Sequence, residues 1–361
     1  MRVTFISASL DLSGGSRIIA TYAKMLAANG HQVTVVAPTP RSISLRKRVS
    51  ELVRHGRLDL GQGLGSHFDK LGLDTRIVDH RPIVEADVPD ADVVIATWWE
   101  TAEWVNAFGK KKGAKVYFVQ GHEVFDGLPL DRVRATYRMP FLKIVVSGWL
   151  QRIMANTYED FGSVLVPNCV DHSVFHTEPR GKQPVPTVGF MYSSGGVKAV
   201  EIAIDAVHRL KARIPNLRVV SFGVLVPKGL GGLGRDFKFT RLPDGRQLRE
   251  AYAACDVWLC SSRSEGFGLP AMEAMSCRTP VVSTRVGWPQ DSIQNGINGF
   301  LVPVDDRHAL CEAAESCLTM NNETWVAMSE QAYQTAQRYQ WSESYALFAA
   351  ALETAMSSRP R

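Results

Sequence analysis

Two glutamates, Glu265 and Glu273, flank the stretch GFGLPAM inside SRSEGFGLPAMEAMSCRTPVV. The stretch follows an apolar run, DVWLCSS, that reads as a strand, and it leads into AMEAMSC, which reads as a helix. Gly266 and Gly268 let backbone N–H groups approach a ligand closely, and Pro270 suits a first helical turn, where its missing N–H costs nothing. The positive end of the helix then faces the space beyond the strand, which suits a diphosphate. A carboxylate beside a phosphate is unfavourable unless it has another task. The task open to Glu265 and Glu273 is to accept hydrogen bonds from sugar and ribose hydroxyls. The plainer reading, a solvated Glu265 and a Glu273 favoured by the helix dipole, explains either glutamate singly. It leaves the glycines and the proline between them without a reason.

Further candidates lie after other strand-like runs. Lys198 follows TVGFMYSS, where it would neutralise a diphosphate leaving group, or else be a solvated surface lysine. Gly14 and Gly15, in LDLSGGSR, offer backbone N–H groups to donor phosphate or acceptor, or form a plain strand-to-helix turn; the spacing is not GxGxxG. His122, in VYFVQGHEVF, follows a strand at the same edge; a lone histidine is usually structural, and Gln120 or Glu123 would share a role there. Trp98 and Trp99 have faces suited to a sugar, although core packing is the simpler reading. Asp90 and Asp92, in PDAD, precede their strand rather than follow it, so they sit at the wrong end of a sheet to hold a catalytic metal. No other cluster implies a metal.

These residues need a scaffold that brings strand ends together. RVTFIS, a glycine-bearing loop, the helical IIATYAKMLAANG closed by Gly30, and HQVTVVAP form a βαβ unit, which implies parallel sheet. DVVIATWW, KVYFVQG, KIVVSG and SVLVPN continue it. After the proline-rich VPNCVDHSVFHTEPRGKQPVP the alternation restarts with TVGFMYSS, VKAVEIAIDAVHRLKARI and LRVVSFG. The 361 residues thus divide into residues 1–166, a linker 167–186, residues 187–340 and a terminal helical stretch 341–361. Two doubly wound halves facing across a cleft are expected, with ligands beyond the carboxyl ends of the strands.

Composition narrows the function. At 45% hydrophobic and 21% charged, with a formal net charge of +5, the chain reads as an ordinary globular protein with no call for a nucleic-acid partner. Its six cysteines form no CxxC pair and read as buried hydrophobes of a reducing compartment. MRVTFISASL is short and runs into a polar loop, and no apolar run approaches the ~20 residues of a membrane span. A cytoplasmic protein is expected. One segment is charge-biased: Arg41, Arg46, Lys47, Arg48, Arg54 and Arg57 face only Glu51, beside Ile43, Leu45, Val49, Leu52 and Val53. Such a stretch in residues 41–57 would lie on an anionic membrane surface or be a solvated helix or loop.

The stretch from Glu265 to Glu273 resembles the E-x-seven-E signature of retaining glycosyltransferases of family 4, which have the GT-B fold. EAMSCRTPVV, NGINGFLVP from Asn295, VPNCVDHSVF from Val166 and the SGGS loop resemble further segments of that family. The resemblance implies two Rossmann-like domains and an acceptor-side N-terminal half. It implies a nucleotide-sugar site in the second half, and a terminal helix that crosses back. It implies transfer of a hexosyl or deoxyhexosyl group, with retention, to a hydroxyl of a glycan or lipid-linked acceptor in cell-surface polysaccharide or glycolipid synthesis. No cofactor is implied beyond the nucleoside-diphosphate sugar donor. Glu273 would contact ribose hydroxyls and Glu265 the transferring sugar, with the backbone of Gly266, Phe267, Gly268 and Leu269 at sugar and phosphates. His122 would touch the donor sugar and Lys198 the phosphates. The family pattern G-R-x-x-x-x-K-G departs here: Ala199 replaces the glycine after Lys198 and the arginine is missing, with Arg241 and Arg263 as substitutes. A sugar-nucleotide epimerase or hydrolase of the same fold, and a non-catalytic nucleotide-sugar-binding protein, remain open alternatives.

Overall fold

The structure, a computed structural model, describes residues 1–39, 65–69, 71–225, 233–234 and 236–358. The basic segment 41–57 lies outside these residues. The chain divides into two compact units. Unit 1 takes its residues from Met1–Ile144, Tyr158–Val164 and Tyr345–Arg361, and unit 2 from Val145–Thr157 and Leu165–Ser344.

Unit 1 is built on a sheet of β1 (Arg2–Ile6), β2 (Gln32–Pro38), β3 (Asp74–Val78), β4 (Val93–Ala96), β5 (Ala114–Val119), β6 (Leu142–Val145) and β7 (Val164–Leu165). Their order is β3-β2-β1-β4-β5-β6-β7, and β1 pairs in parallel with both β2 and β4. The inner strands β1, β4 and β5 are near-continuous apolar runs because both faces of a parallel sheet are covered. Helix α1 (Gly14–Ala28) starts at Ser13, whose side chain accepts from Ser16 N. It ends before Gly30, whose φ of +80° needs no Cβ. The helices α2 (Trp99–Asn106) and α3 (Leu130–Thr136) follow, and α4 (Gly148–Tyr158) belongs to unit 2 up to Thr157. The edge strand β3, DTRIV, is largely exposed and charged, so its sequence carries neither an apolar run nor an alternation by which to recognise it.

Unit 2 repeats the plan with β8 (Thr187–Tyr192), β9 (Arg218–Gly223), β10 (Phe237–Arg241), β11 (Val257–Cys260), β12 (Val281–Thr284) and β13 (Gly299–Val302). The order is β10-β9-β8-β11-β12-β13, with every pairing parallel. Its helices are α5 (Val200–Arg213), α6 (Gly245–Ala253), α7 (Leu269–Ser276), α8 (Gly287–Ser292), α9 (Arg307–Thr319) and α10 (Asn322–Gln337). In both sheets the winding reverses between the first and fourth strands, β1/β4 and β8/β11. That reversal opens a crevice at the carboxyl edge.

Residues 167–186 form no helix or strand, yet they are fastened to unit 2. Lys182 Nζ donates to the Leu318 and Met320 carbonyls, and Gln183 N to Asp256. The Arg180 guanidinium sits 4.6 Å from the centre of the Trp325 ring. The last helix, α11 (Trp341–Ser357), contributes Phe348 to the core of unit 1. Its ring stacks on Tyr22 at 4.2 Å and meets Phe118 edge-on at 5.3 Å.

Phe348 is fully buried. Replacing it with alanine is expected to cost about 3–5 kcal/mol, the range for large aromatic truncations in a core. A urea titration should show the loss in the transition that reports on unit 1.

Candidate functional site

The sheet of unit 2 places Lys198 and Glu265 on the two loops that leave the switch point, one after β8 and one after β11. The side chains meet: Lys198 Nζ donates to Glu265 Oε1 at 2.6 Å. The same oxygen accepts from Ser262 Oγ at 2.6 Å. Both side chains of the ion pair are partly open to solvent, 31% for Lys198 and 16% for Glu265. A ligand entering the crevice therefore reaches them.

The loop from Glu265 to Gly268 is held tightly from beneath. Gly268 caps α7 with φ +93°, a left-handed conformation that a side chain would strain. The Phe267 carbonyl accepts from Trp288 N at 2.8 Å, and the two rings stack at 5.7 Å. Gly287 makes this approach possible, since a Cβ there would lie 2.6 Å from Phe267 O. The Gly266 carbonyl accepts from Ser147 Oγ at 2.7 Å, and Ser147 also caps α4 by accepting from Leu150 N. Pro270 occupies the first turn of α7, as its type suggests.

Glu273 is 3% exposed and accepts from the Tyr252 hydroxyl at 2.7 Å. Tyr252 is fixed by Trp258, whose ring meets it at 4.5 Å. Gly189 makes room for that indole, because a Cβ there would fall 2.3 Å from the ring. Thus a glycine on β8, a tryptophan on β11 and a tyrosine on α6 together set the position of one carboxylate on α7.

The two candidate arginines have different settings. Arg263 is committed: its guanidinium donates to Asp305, Glu201 and the Gly196 carbonyl at 2.7–2.8 Å. Its backbone N–H donates to the Val197 carbonyl. It therefore braces the turn that carries Lys198. Arg241 ends β10, in register with Gly223 of β9, which is in register with Tyr192 of β8. Two strand spacings put its backbone roughly 10 Å from β8 along the carboxyl edge, and its Nε donates to the Val224 carbonyl at 3.1 Å. Ala199 occupies a left-handed position at φ +45°. That conformation costs an alanine about 1–2 kcal/mol, partly offset by burying its methyl, worth about 0.8 kcal/mol.

In unit 1, Gly14 and Gly15 are the first residues of α1. Asp11 lies beside them and accepts from Ser13 N, Ser16 Oγ and Ser9 Oγ. Burial pushes its carboxyl up, but these hydrogen bonds outweigh burial and hold it below the usual range. A Cβ on Gly15 would stand 3.8 Å from the Gln120 amide, so Gln120 borders the same turn.

His122 follows β5 and is clamped by tyrosines. The Tyr137 hydroxyl accepts from Glu123 N at 2.9 Å and donates to the Gly121 carbonyl at 3.1 Å, so it grips the backbone on both sides of His122. The ring Nε2 pairs with the Tyr158 hydroxyl at 2.8 Å. Burial, and then the Arg134 charge, push the His122 pKa down, which favours neutral imidazole. Glu123 is 4% exposed, and burial raises its carboxyl well above the ordinary range. It accepts from Trp99 N, the first N–H of α2, at 3.0 Å. Trp99 itself is 4% exposed and packs in the core, whereas Trp98 is half-buried at the head of α2.

Asp90 and Asp92 lie at the amino edge of β4, where Asp92 holds Arg2 and Asp90 pairs with Lys112. Among the described residues, no group of three or more His, Cys, Asp and Glu is arranged to hold a metal. The six cysteines are all free. Burial pushes Cys169 up to about 12. Ser147, Tyr252, Ser262, Tyr137 and Tyr158 act by contact with residues distant in sequence or by loop geometry, and no spacing rule in the chain signals them.

Residues 185–320 match the family model described as glycosyl transferases group 1. D-inositol 3-phosphate glycosyltransferase of Corynebacterium urealyticum is 30% identical over 171 residues, which cover 44% of this chain and 40% of that protein. The protein of the same name from Corynebacterium jeikeium is 33% identical over 171 residues, covering 44% and 41%. The chain thus spans about two fifths of the length of these curated relatives. Sucrose-phosphate synthase from Thermosynechococcus elongatus has a similar structure, with a TM-score of 0.73 at 16% identity over 99% of this chain and 100% of that one. HepE of Anabaena, solved with UDP and glucose, superposes with a TM-score of 0.72 at 17% identity over 98% and 100%. At such identities the likeness shows the fold. The two Rossmann-like domains are those of the GT-B architecture, and the resemblance to GT-B glycosyltransferases holds.

The Glu123 environment has a consequence for stability. Its pKa is raised in the folded protein, so above the ordinary carboxyl range the folded state keeps a proton that the unfolded chain has lost. Its contribution is full at acid pH and declines as pH rises. Glu123→Gln is therefore expected to raise Tm at pH 8, by roughly 2–4 °C per kcal/mol recovered, and to give no gain at pH 4. Thermal melts of both proteins across that range check the sign.

Proposed function

We propose that the protein is a retaining glycosyltransferase that moves a hexosyl or deoxyhexosyl group from a nucleoside-diphosphate sugar to a hydroxyl of a glycan or lipid-linked acceptor. The observation that carries this reading is the meeting of Lys198 and Glu265 at the switch point, beside the N-terminus of α7. A cation and a helix N-terminus suit a departing diphosphate. A carboxylate next to them suits the sugar that the diphosphate leaves.

In the proposed reaction the bond from the anomeric carbon to the phosphate oxygen breaks, and a bond from that carbon to the acceptor oxygen forms on the same face. The acceptor proton passes to the leaving phosphate oxygen. Lys198 and the N–H groups at the start of α7 stabilise the charge that develops on the diphosphate. Glu265 orients the sugar and stabilises positive charge on its ring. Glu273, fixed by Tyr252, accepts from ribose hydroxyls. Arg241 is a cation on the carboxyl edge for the nucleotide, since Arg263 is occupied as a brace. On unit 1, His122 in neutral form is suited to hydroxyl groups. The carboxylate of Asp11 makes the Gly14–Gly15 turn better suited to a hydroxylic group than to phosphate.

The biological setting in this reading is cell-surface polysaccharide or glycolipid synthesis at the cytoplasmic side. No described helix is long and apolar enough to cross a membrane. The basic residues between Arg41 and Arg57 would attract an anionic membrane carrying a lipid-linked acceptor.

A panel of nucleotide sugars, with UDP sugars first because HepE was solved with UDP, tests the activity. Nucleoside diphosphates should raise Tm, and acceptor-dependent release of diphosphate should give a product with the donor's anomeric configuration by NMR. Fast conversion of donor without acceptor would instead indicate an epimerase or hydrolase. Lys198→Ala should weaken diphosphate binding by about 10- to 100-fold, the size of one hydrogen bond to a charged group. Glu273→Ala should weaken binding of the nucleoside diphosphate by about 10-fold or more on the same ground, measured by calorimetry.

A further inference from the structure

We propose that Ser262 is a positioning residue that keeps Glu265 in place while Lys198 exchanges the carboxylate for the diphosphate. This rests on the glycosyl-transfer reading above.

In the free protein, Glu265 Oε1 accepts two short hydrogen bonds, from Lys198 Nζ and from Ser262 Oγ, each 2.6 Å. The lysine that a diphosphate would need is thus already neutralised by the carboxylate that the sugar would need. A bound diphosphate competes for the ammonium with more negative charge than one carboxylate offers. The ammonium, on a flexible four-carbon stem, follows the stronger field. Glu265 then loses one of the two bonds on Oε1. A carboxylate rotates easily about its last torsion, which has broad minima. With no second anchor it would swing in the crevice at the moment it is needed beside the sugar.

Ser262 supplies that anchor. It lies three residues before Glu265 on the same loop and is 5% exposed, so its hydroxyl is held in place. Its carbonyl accepts from Thr284 Oγ1 at 2.5 Å, which fixes the backbone from β12. The neighbouring Ser261 Oγ donates to the carbonyls of Lys198 at 3.1 Å and Ala199 at 2.9 Å. The lysine backbone stays fixed while its side chain moves. With Oε1 still bound by Ser262, Oε2 is the oxygen presented to the sugar. Donor binding thereby releases Glu265 for its task without freeing it to rotate.

The test uses the full chain and two substitutions. Ser262→Ala is expected to lower kcat by about ten- to a hundredfold, one hydrogen bond to a charged group, while KM for the nucleotide sugar and the Kd of UDP change less than about twofold. Ser262→Thr, which keeps the hydroxyl, should restore kcat. Glu265→Ala should bind UDP several-fold more tightly than the wild type, because Lys198 no longer has a partner to give up. Thermal melts confirm that each variant is folded. A Ser262→Ala protein with unchanged kcat, or with kcat and donor affinity falling together, overturns the positioning role. Unaltered or weaker UDP binding by Glu265→Ala overturns the exchange. A wild-type protein that neither binds nucleoside diphosphates nor turns over any nucleotide sugar overturns the glycosyl-transfer reading itself, and this inference with it.

Discussion

The reversal of winding between β8 and β11 is the constraint on which the candidate site depends. Both strands end at the same edge of the sheet, but the chain leaves β8 toward α5 and leaves β11 toward α7. Helices cannot fill the gap directly above two strands whose connections depart in opposite directions. The gap is left for loops, and the loops carry Lys198 on one side and Glu265 on the other. Within unit 2, the residues that hold the loop of Glu265 and the turn of Lys198 fix the walls of this gap.

The walls are fixed by close backbone approaches that few residue types allow. Gly287 lets α8 lie directly on the Phe267 carbonyl, and Ser147 bonds the Gly266 carbonyl from another direction. The interior is as close-packed as a molecular crystal, so a shift of a few tenths of an ångström in one element is felt by the next. The path from Gly189 through Trp258 and Tyr252 to Glu273 shows this. Each contact is ordinary packing, and its end is the orientation of a single carboxylate.

Charge at the site is arranged for placement more than for stability. Partly exposed ion pairs contribute little to folding, and the pairs of Arg263 with Glu201 and Asp305 are of that kind. Their effect is to hold the Gly196–Lys198 turn against the loop of Glu265. Unit 1 shows the opposite economy. Glu123 is buried and favoured in its neutral form, and it gives the first N–H of α2 an acceptor without adding a charge to the interior.

The class of fold, and the strand-to-helix turn that carries Glu265 and Glu273, were legible in the sequence. Apolar runs alternating with helical periodicity, restarted after a proline-rich stretch, specify two parallel sheets, because such runs can only be buried on both faces. The glycine and proline spacing between Glu265 and Glu273 specifies a strand-to-helix turn, because it encodes local backbone conformation. That Lys198 touches Glu265, that Arg263 braces the Gly196–Lys198 turn, and that Ser147, Tyr252 and Ser262 hold the Gly266 carbonyl and the carboxylates of Glu273 and Glu265 were decided only by the tertiary structure. These contacts join residues far apart in the chain, or depend on how one loop folds upon itself. Their strength comes from distances of a few ångströms that spacing along the chain does not fix. A serine or tyrosine has the same local propensity whether its hydroxyl meets water or a carboxylate.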